Sequence, residues 1–169
     1  MQGFPYAARD QAIGLLGGSF DPAHEGHVRI TREALKRFGL DQVWWLVSPG
    51  NPLKPMPDSL PVRLTRARNV ARDRRILVTD VEARMGTRFT VDSLAALQKR
   101  FTQVDFVWLM GSDNLAQFSR WRRWQQIVAR APIAVVRRPG SVLASLHAPL
   151  ARRIGVSRRL GPAPSLVVL

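Results

Sequence analysis

The sequence predicts an α/β fold, an open parallel sheet with helices on both faces. Short apolar runs alternate with segments of helical periodicity along the chain, and this alternation is typical of parallel strands joined by crossover helices. No internal repeat interrupts it, so we expect one domain over residues 1–169. Six apolar runs are the candidate strands: residues 12–16, 43–48, 76–81, 104–110, 133–136 and 166–169.

Two segments between these runs have the periodicity of amphipathic helices. The first, residues 27–39, ends at the stop signal Gly39, and its apolar face is formed by Ile30, Ala34, Leu35 and Phe38. The second, residues 90–101, has Thr90 as its expected N-cap, and its buried stripe is formed by Leu94, Leu97 and Phe101. Two further helix candidates are residues 61–73 and 114–130.

The composition excludes several classes of protein. No apolar run approaches the roughly 20 residues that span a bilayer, and the first twelve residues lack the apolar core of a secretory signal. We therefore expect a cytoplasmic protein without membrane contact. The absence of cysteine excludes disulfides and thiolate metal sites. The net charge of +14 points to an anionic partner, although scattered arginines are more typical of a solvated surface.

Ligands of open parallel sheets bind beyond the carboxyl ends of the strands. This rule selects the four loops 17–27, 48–58, 82–90 and 111–121. The 48–58 loop is rich in proline, and its composition fits a mobile flap over a site or an ordinary surface connection.

The first of these loops has the features of a phosphate site. Gly17 and Gly18 directly follow a predicted strand, where glycine lets the backbone approach a ligand and adopt angles that other residues resist. The helix expected from Gly26 would direct free N–H groups and its positive dipole end at an anion. His24 and His27 are spaced to share one side of that helix. Phosphate binding, metal ligation and acid–base work are all possible for them, but a metal site lacks a third nearby histidine. We expect phosphoryl chemistry, which depends on positioning and electrostatics.

The stretch GGSFDPAHEGH, residues 17–27, resembles the signature of the nucleotidyltransferases that carry an HxGH motif. The resemblance implies a Rossmann-like fold and transfer of a nucleotidyl group from a nucleoside triphosphate to a phosphate-bearing acceptor, with release of pyrophosphate.

Four further blocks resemble the bacterial nicotinate-nucleotide adenylyltransferases: SPGNPLKP (48–55), RFTVDSL (88–94), GSDNLAQFSRWRRW (111–124) and VVRRPG (135–140). Pantetheine-phosphate adenylyltransferases usually have Thr where His24 stands, and related cytidylyltransferases lack the GSDN block. The resemblance therefore implies that ATP and nicotinate mononucleotide are the substrates, that Mg²⁺ is carried on the triphosphate, and that the product serves NAD biosynthesis.

The resemblance also implies the site residues. Ser19, His24 and His27 are the expected catalytic residues. The expected ATP-binding residues are Gly17, Gly18, Ser19, Phe20, His24, Gly26, His27, Gly111, Asp113 and Arg137. The expected nicotinate-mononucleotide-binding residues are Lys54, Phe89, Thr90 and Trp121. No metal-binding residue is expected.

Physical chemistry supports several of these roles. Trp121 offers an aromatic face for a pyridine ring, whereas the helical spacing of Trp124 places it in the core. Phe89 stands where the family has Tyr, which keeps stacking and loses a hydroxyl. Lys54 supplies a point charge near phosphates. Arg137 and Arg138 both end the fifth strand, and the sequence leaves open which one faces the nucleotide.

One departure from the family pattern and two alternative functions stay open. The family pattern continues into a Ser-Ser-Thr-x-Ile-Arg-like segment that holds the ATP phosphates, and we expect this chain to lack it after residues 166–169. Nicotinamide mononucleotide is an alternative acceptor. A non-catalytic basic protein that binds nucleotides or RNA is a second alternative, for which RWRRW (120–124) is the hint, although nucleic acid is not the favoured partner. The oligomeric state stays open.

Overall fold

The computed structural model describes residues 4–50, 58–137 and 161–168. Its six strands are β1 (Gln11–Gly18), β2 (Gln42–Val47), β3 (Ile76–Thr79), β4 (Val104–Gly111), β5 (Ile133–Val136) and β6 (Leu166–Val168). They form one parallel sheet in the order β3-β2-β1-β4-β5-β6. Each of the six predicted strands is present, and the predicted open parallel sheet is confirmed.

The helices in the described ranges are α1 (Glu25–Arg37), α2 (Leu60–Val70), α3 (Val81–Met85), α4 (Thr90–Arg100), α5 (Ser112–Gln117) and α6 (Trp124–Arg130), with a 3₁₀ turn at Phe118–Arg120. The stop at Gly39 is confirmed, since its φ of +64° lies in the left-handed region that glycine favours. Among the described residues, no helix has both the length and the apolar character needed to cross a membrane.

Three helix predictions need correction. The helix expected over 61–73 ends at Val70, because Asp73 instead accepts hydrogen bonds from the backbone and side chain of Arg75 in a turn that leads into β3. The helix expected over 114–130 is three pieces, since Trp121 is extended and Arg123 has a φ of +51°. Thr90 is the first residue of α4 and not its N-cap, a position held by the extended Phe89.

Each face of the sheet has its own core. Alternate strand residues such as Leu16 and Trp45 pack with α1 and α2 on one face, while Leu15 and Trp44 pack with α3 to α6 on the other. This period-two alternation explains why the strands read as continuous apolar runs, because both faces are covered. Helices therefore cover both faces, as predicted.

The order of the sheet sets the position of the site. The chain runs outward from β1 through β2 to β3, and then returns to place β4 on the other side of β1. Such a reversal leaves a crevice at the carboxyl ends of the two central strands, where nucleotides bind in this architecture. The loops that follow β1 and β4 meet at this crevice.

Candidate active site

A cleft of about 420 Å³ opens at the carboxyl ends of β1 and β4. It brings together eight of the predicted site residues: Gly17, Gly18, Ser19, His27, Thr90, Gly111, Asp113 and Trp121. Two other clefts, of about 380 and 420 Å³, contain no predicted site residue. The loops chosen from the sequence therefore converge on one site.

Gly17 is required by space and not by backbone conformation. A Cβ built on Gly17 would lie 2.7 Å from Cη2 of Trp108, whereas one on Gly18 would meet the Phe20 ring at an ordinary 3.5 Å. Neither glycine has a positive φ, so the expectation of unusual glycine angles is wrong. The glycine at position 17 lets the Trp108 ring pack directly against the end of β1.

The unusual backbone of the first loop belongs to Phe20, whose φ is +50°. Its ring is 1% exposed and stacks on Trp45 at 5.0 Å between centroids, with the His27 ring at 4.7 Å. Left-handed geometry costs a non-glycine residue free energy, and it persists only where surrounding contacts hold it. Phe20 therefore serves as the aromatic base beneath His27, and its ATP contact stays a prediction.

The two histidines form a reciprocal cap at the start of α1. Nδ1 of His24 accepts a hydrogen bond from the Gly26 N–H at 3.0 Å, and Nδ1 of His27 accepts one from the His24 N–H at 3.2 Å. Both rings are thus fixed by the first turn of the helix, with their centroids 4.0 Å apart. This arrangement is a capping box in which imidazoles replace the usual hydroxyl and carboxylate.

The caps also define what the rings can offer a ligand. A backbone N–H only donates, so each Nδ1 must be an acceptor, and in a neutral imidazole the proton then lies on Nε2. Each histidine consequently presents an Nε2–H donor, as a phosphate oxygen requires. These donors stand at a helix N-terminus, where the dipole also favours an anion.

A buried hydrogen-bond relay supports the His27 backbone. The Trp45 indole N–H donates to Oγ1 of Thr31 at 2.8 Å, and this hydroxyl donates to the His27 carbonyl at 2.9 Å. Thr31 is fully buried. The relay couples the position of His27 to the core of the sheet.

The opposite side of the cleft contains a buried carboxyl group. Glu82, 6% exposed, follows β3 and accepts a hydrogen bond from the Ser93 hydroxyl at 2.7 Å. Burial raises the pKa of Glu82, and the bond from Ser93 opposes that rise. A second hydrogen bond joins the hydroxyls of Ser93 and Thr87 at 3.0 Å, so the network links α3 to the start of α4.

Aromatic side chains build the rest of this side. Trp121 is half-buried and meets the Trp108 ring edge-to-face, with centroids 6.1 Å apart. Phe89 does not line the cleft; it is exposed, and the Arg122 guanidinium lies 4.6 Å from its ring centroid. Trp124 is half-buried and packs beside Phe118, in agreement with its predicted core position. Because both tryptophans pack inward, RWRRW lacks an exposed aromatic stripe.

The remaining predicted residues divide into two groups. Arg137 is described and exposed just after β5, while Lys54 and Arg138 lie outside the described residues. Binding roles for all of them, and the expected lack of a C-terminal phosphate segment, stay predictions. In the described ranges, no three His, Asp or Glu side chains converge as metal ligands.

Sequence reasoning missed five polar or aromatic residues that line the cleft: Ser48, Glu82, Arg88, Trp108 and Asn114. The rule that ligands bind beyond the carboxyl ends of parallel strands had already selected the loops that contain four of them: Ser48, Glu82, Arg88 and Asn114. Their position after a strand was therefore the signal that could have found them. Trp108 gave no such signal, because it lies inside β4 and reaches the cleft only through the space at Gly17.

Comparison with known proteins gives the family. The family model described as cytidylyltransferase-like matches residues 15–158. A nicotinate-nucleotide adenylyltransferase of Cereibacter sphaeroides is 61% identical over 152 residues, which are 89% of this chain and 82% of that protein. Relatives of the same name from Roseobacter denitrificans and Ruegeria pomeroyi are 53% and 54% identical, over 98% of this chain and 84% and 78% of theirs.

Solved structures agree on the fold. Two structures of the Plasmodium falciparum nicotinic acid mononucleotide adenylyltransferase, complexed with NaAD and with APC, match with TM-scores of 0.74 and 0.68. Their sequence identities are 16% and 15%, and each match covers 94% of this chain and 74% of that one. At this identity the likeness establishes the fold alone.

Fold and site define an α/β protein with a cleft at the switch point of its parallel sheet, the position at which nucleotides bind in this architecture. Within that class, the chain belongs to the nicotinate-nucleotide adenylyltransferases of the cytidylyltransferase-like family.

Proposed function

We propose that this chain transfers the adenylyl group of ATP to nicotinate mononucleotide, giving deamido-NAD and pyrophosphate. The observation that carries the proposal is the pair of histidines whose Nδ1 atoms cap the start of α1, with His27 lining the cleft at the end of β1. The names of the relatives support the same reaction.

In this reaction a phosphate oxygen of nicotinate mononucleotide attacks the α-phosphorus of ATP in line. The new oxygen–phosphorus bond replaces the bond to the β-phosphate, and pyrophosphate leaves with that electron pair. The acceptor is already an anionic nucleophile, so no covalent enzyme intermediate is needed. Ser19, His24 and His27 would stabilise charge on the transferring and leaving phosphates by donated hydrogen bonds.

Residues that follow β3 and β4 would bind the nucleoside parts of the two substrates. Gly111 and Asp113, at the end of β4, would contact the adenosine ribose, while Trp121 would stack on the pyridine ring. Thr90 and the free N–H groups at the start of α4 would receive the nicotinate carboxylate. Arg88 lines this side of the cleft and adds positive charge, which favours nicotinate over the neutral nicotinamide.

Mg²⁺ would supply charge neutralisation on the triphosphate. Its ligands would be mainly phosphate oxygens and water, as this ion prefers. We also place the protein in the cytoplasm, with small nucleotides as its partners.

The direct test is pyrophosphate release from ATP, with nicotinate and nicotinamide mononucleotide compared at equal concentration. We expect turnover with both, faster with nicotinate. The assay should include the 169-residue chain and the same chain extended by a Ser-Ser-Thr-x-Ile-Arg segment. No release from either form with any acceptor would refute the proposal.

His27→Ala is the matched variant, and Arg29→Ala, an exposed position two residues further along α1, is its control. We expect His27→Ala to lose turnover while keeping its far-ultraviolet circular dichroism, and Arg29→Ala to stay near the parent rate. Parent-like product formation by His27→Ala would remove the role given to that ring.

A further inference from the structure

Arg63 is a buried charged residue that the reaction above does not use. It lies in the first turn of α2 and is 1% exposed. A buried guanidinium is costly unless its donors are satisfied, so its hydrogen-bond partners indicate why it is there.

The partners of Arg63 are three backbone carbonyls from separate parts of the chain. Nη1 donates to the Ser19 carbonyl at 2.7 Å and to the Ser48 carbonyl at 2.9 Å. Nε donates to the Asp58 carbonyl at 3.1 Å. One side chain therefore joins the loop after β1, the end of β2 and Asp58, which lies two residues before α2.

Two of those carbonyls belong to residues that line the cleft, Ser19 and Ser48. The same corner is closed by the Ser48 N–H, which donates to the Gly18 carbonyl at 2.9 Å. The spacing between the two serines is thus fixed by one backbone bond and one shared guanidinium nitrogen.

The bond to Ser19 also fixes the strained part of the loop. In a trans peptide the C=O and the following N–H point in opposite directions, so holding the Ser19 carbonyl sets the direction of the Phe20 N–H. Phe20 is the residue with a φ of +50°. Burial lowers the pKa of Arg63, and the nearby Asp21 and Asp58 carboxylates oppose this change.

We propose that Arg63 is a positioning residue for adenylyl transfer, whose guanidinium sets the spacing of Ser19 and Ser48 and holds the backbone beside Phe20. This inference rests on the proposed function. Arg63 touches neither substrate; it acts through the carbonyls that it binds. Lysine cannot replace it, because an ammonium lacks the planar fork that reaches three carbonyls.

The test compares Arg63→Lys with Arg66→Lys, a matched change on the same helix. Arg66 is exposed and pairs with the Asp58 side chain, so this control perturbs the same neighbour without touching Ser19 or Ser48. Each protein is measured for kcat, KM and thermal unfolding, and rates are expressed per folded molecule.

We expect kcat of Arg63→Lys to fall about 100-fold, as small misplacements of a reactive geometry do. Arg66→Lys should stay within about threefold of the parent, as is typical of a surface ion pair. Parent-like kcat and KM in folded Arg63→Lys, even with a lower melting temperature, would reduce Arg63 to a structural role and overturn the proposal.

Two further measurements keep the proposal testable. If neither the parent nor its extended form releases pyrophosphate, the proposed function fails, and binding of α,β-methylene-ATP then decides about Arg63: weaker binding by Arg63→Lys supports its role, and equal binding or no binding by the parent overturns it. If Arg63→Lys does not fold, the Nε–H resonance of Arg63 in the parent should shift on adding that analogue while the Arg66 resonance does not. An unmoved Arg63 resonance would overturn the proposal.

Discussion

The two walls of the cleft are built by different means. The wall after β1, formed by Gly17, Gly18, Ser19 and His27, is a short continuous stretch held by backbone hydrogen bonds and a packed aromatic base. The wall after β3 and β4, formed by Glu82, Arg88, Thr90 and Trp121, joins side chains from separate elements through a buried carboxyl network and edge-to-face rings. The first wall comes from one stretch of the chain that Trp45, Trp108 and Arg63 support from other elements, whereas the second wall is itself assembled from separate elements.

Gly17→Ala is expected to have the largest effect on the first wall. A methyl group there would lie 2.7 Å from the Trp108 ring, and overpacking of this kind costs about 3 kcal/mol of unfolding free energy. Gly18→Ala is the control, since its Cβ meets only an ordinary contact at 3.5 Å. Denaturant unfolding of both variants measures the difference. Equal stabilities would mean that Trp108 moves aside easily and that the two walls are not coupled through it.

Thr31→Val tests the relay beneath His27. It leaves the Trp45 N–H buried without an acceptor, and a loss of this kind costs about 2 kcal/mol. Thr65→Val removes a similar bond, from Thr65 to the Pro61 carbonyl, on an exposed helix surface and should cost much less. If the two variants lose equal unfolding free energy, the relay does not hold the first wall in place.

Glu82→Gln tests the second wall through pH. Because burial raises the pKa of Glu82, its contribution to stability is complete below the ordinary glutamate value and is lost as pH rises through the raised value. Glutamine cannot ionise, so the variant should gain stability relative to the parent as pH rises. Unfolding free energies of the parent and the variant across that range measure the gain. A pH-independent difference would contradict the burial argument.

Arg122→Gln should have the smallest effect. It removes an exposed cation–π contact with Phe89, which contributes about 0.5–1 kcal/mol. The measurement is thermal unfolding beside KM for nicotinate mononucleotide, with Arg130→Gln on α6 as the control. A rise in KM without a change in melting temperature would place Arg122 in the second wall and not merely at its rim.

The fold could be predicted from sequence because its signals are local. Apolar runs and helical periodicity gave all six strands and the position of α1, and GGSFDPAHEGH gave the first wall within a single stretch. One failure is a shift of a single residue at a helix boundary: Thr90 was expected to cap α4, but the extended Phe89 directly before it takes the cap position. The other failures occur where distant residues decide.

Arg63 is the clearest example of a residue whose role the neighbouring sequence does not reveal. Its partners Ser19 and Ser48 are 44 and 15 residues away, and its sequence context is that of any arginine on an amphipathic helix. Likewise, the buried state of Glu82 depends on α4 folding back over α3. The roles of such residues can be recognised only in the folded structure, where the sheet brings their partners together.

The edge-to-face pair of Trp108 and Trp121 has a practical consequence. Two of the five tryptophans in the chain line the cleft with their rings in contact, and Trp121 is the more solvent-accessible member. Emission from an indole depends on its solvation and on nearby stacked rings, so occupancy of the cleft should change the intrinsic fluorescence. The difference signal between the parent and Trp121→Phe would then follow ligand arrival in real time without an attached dye.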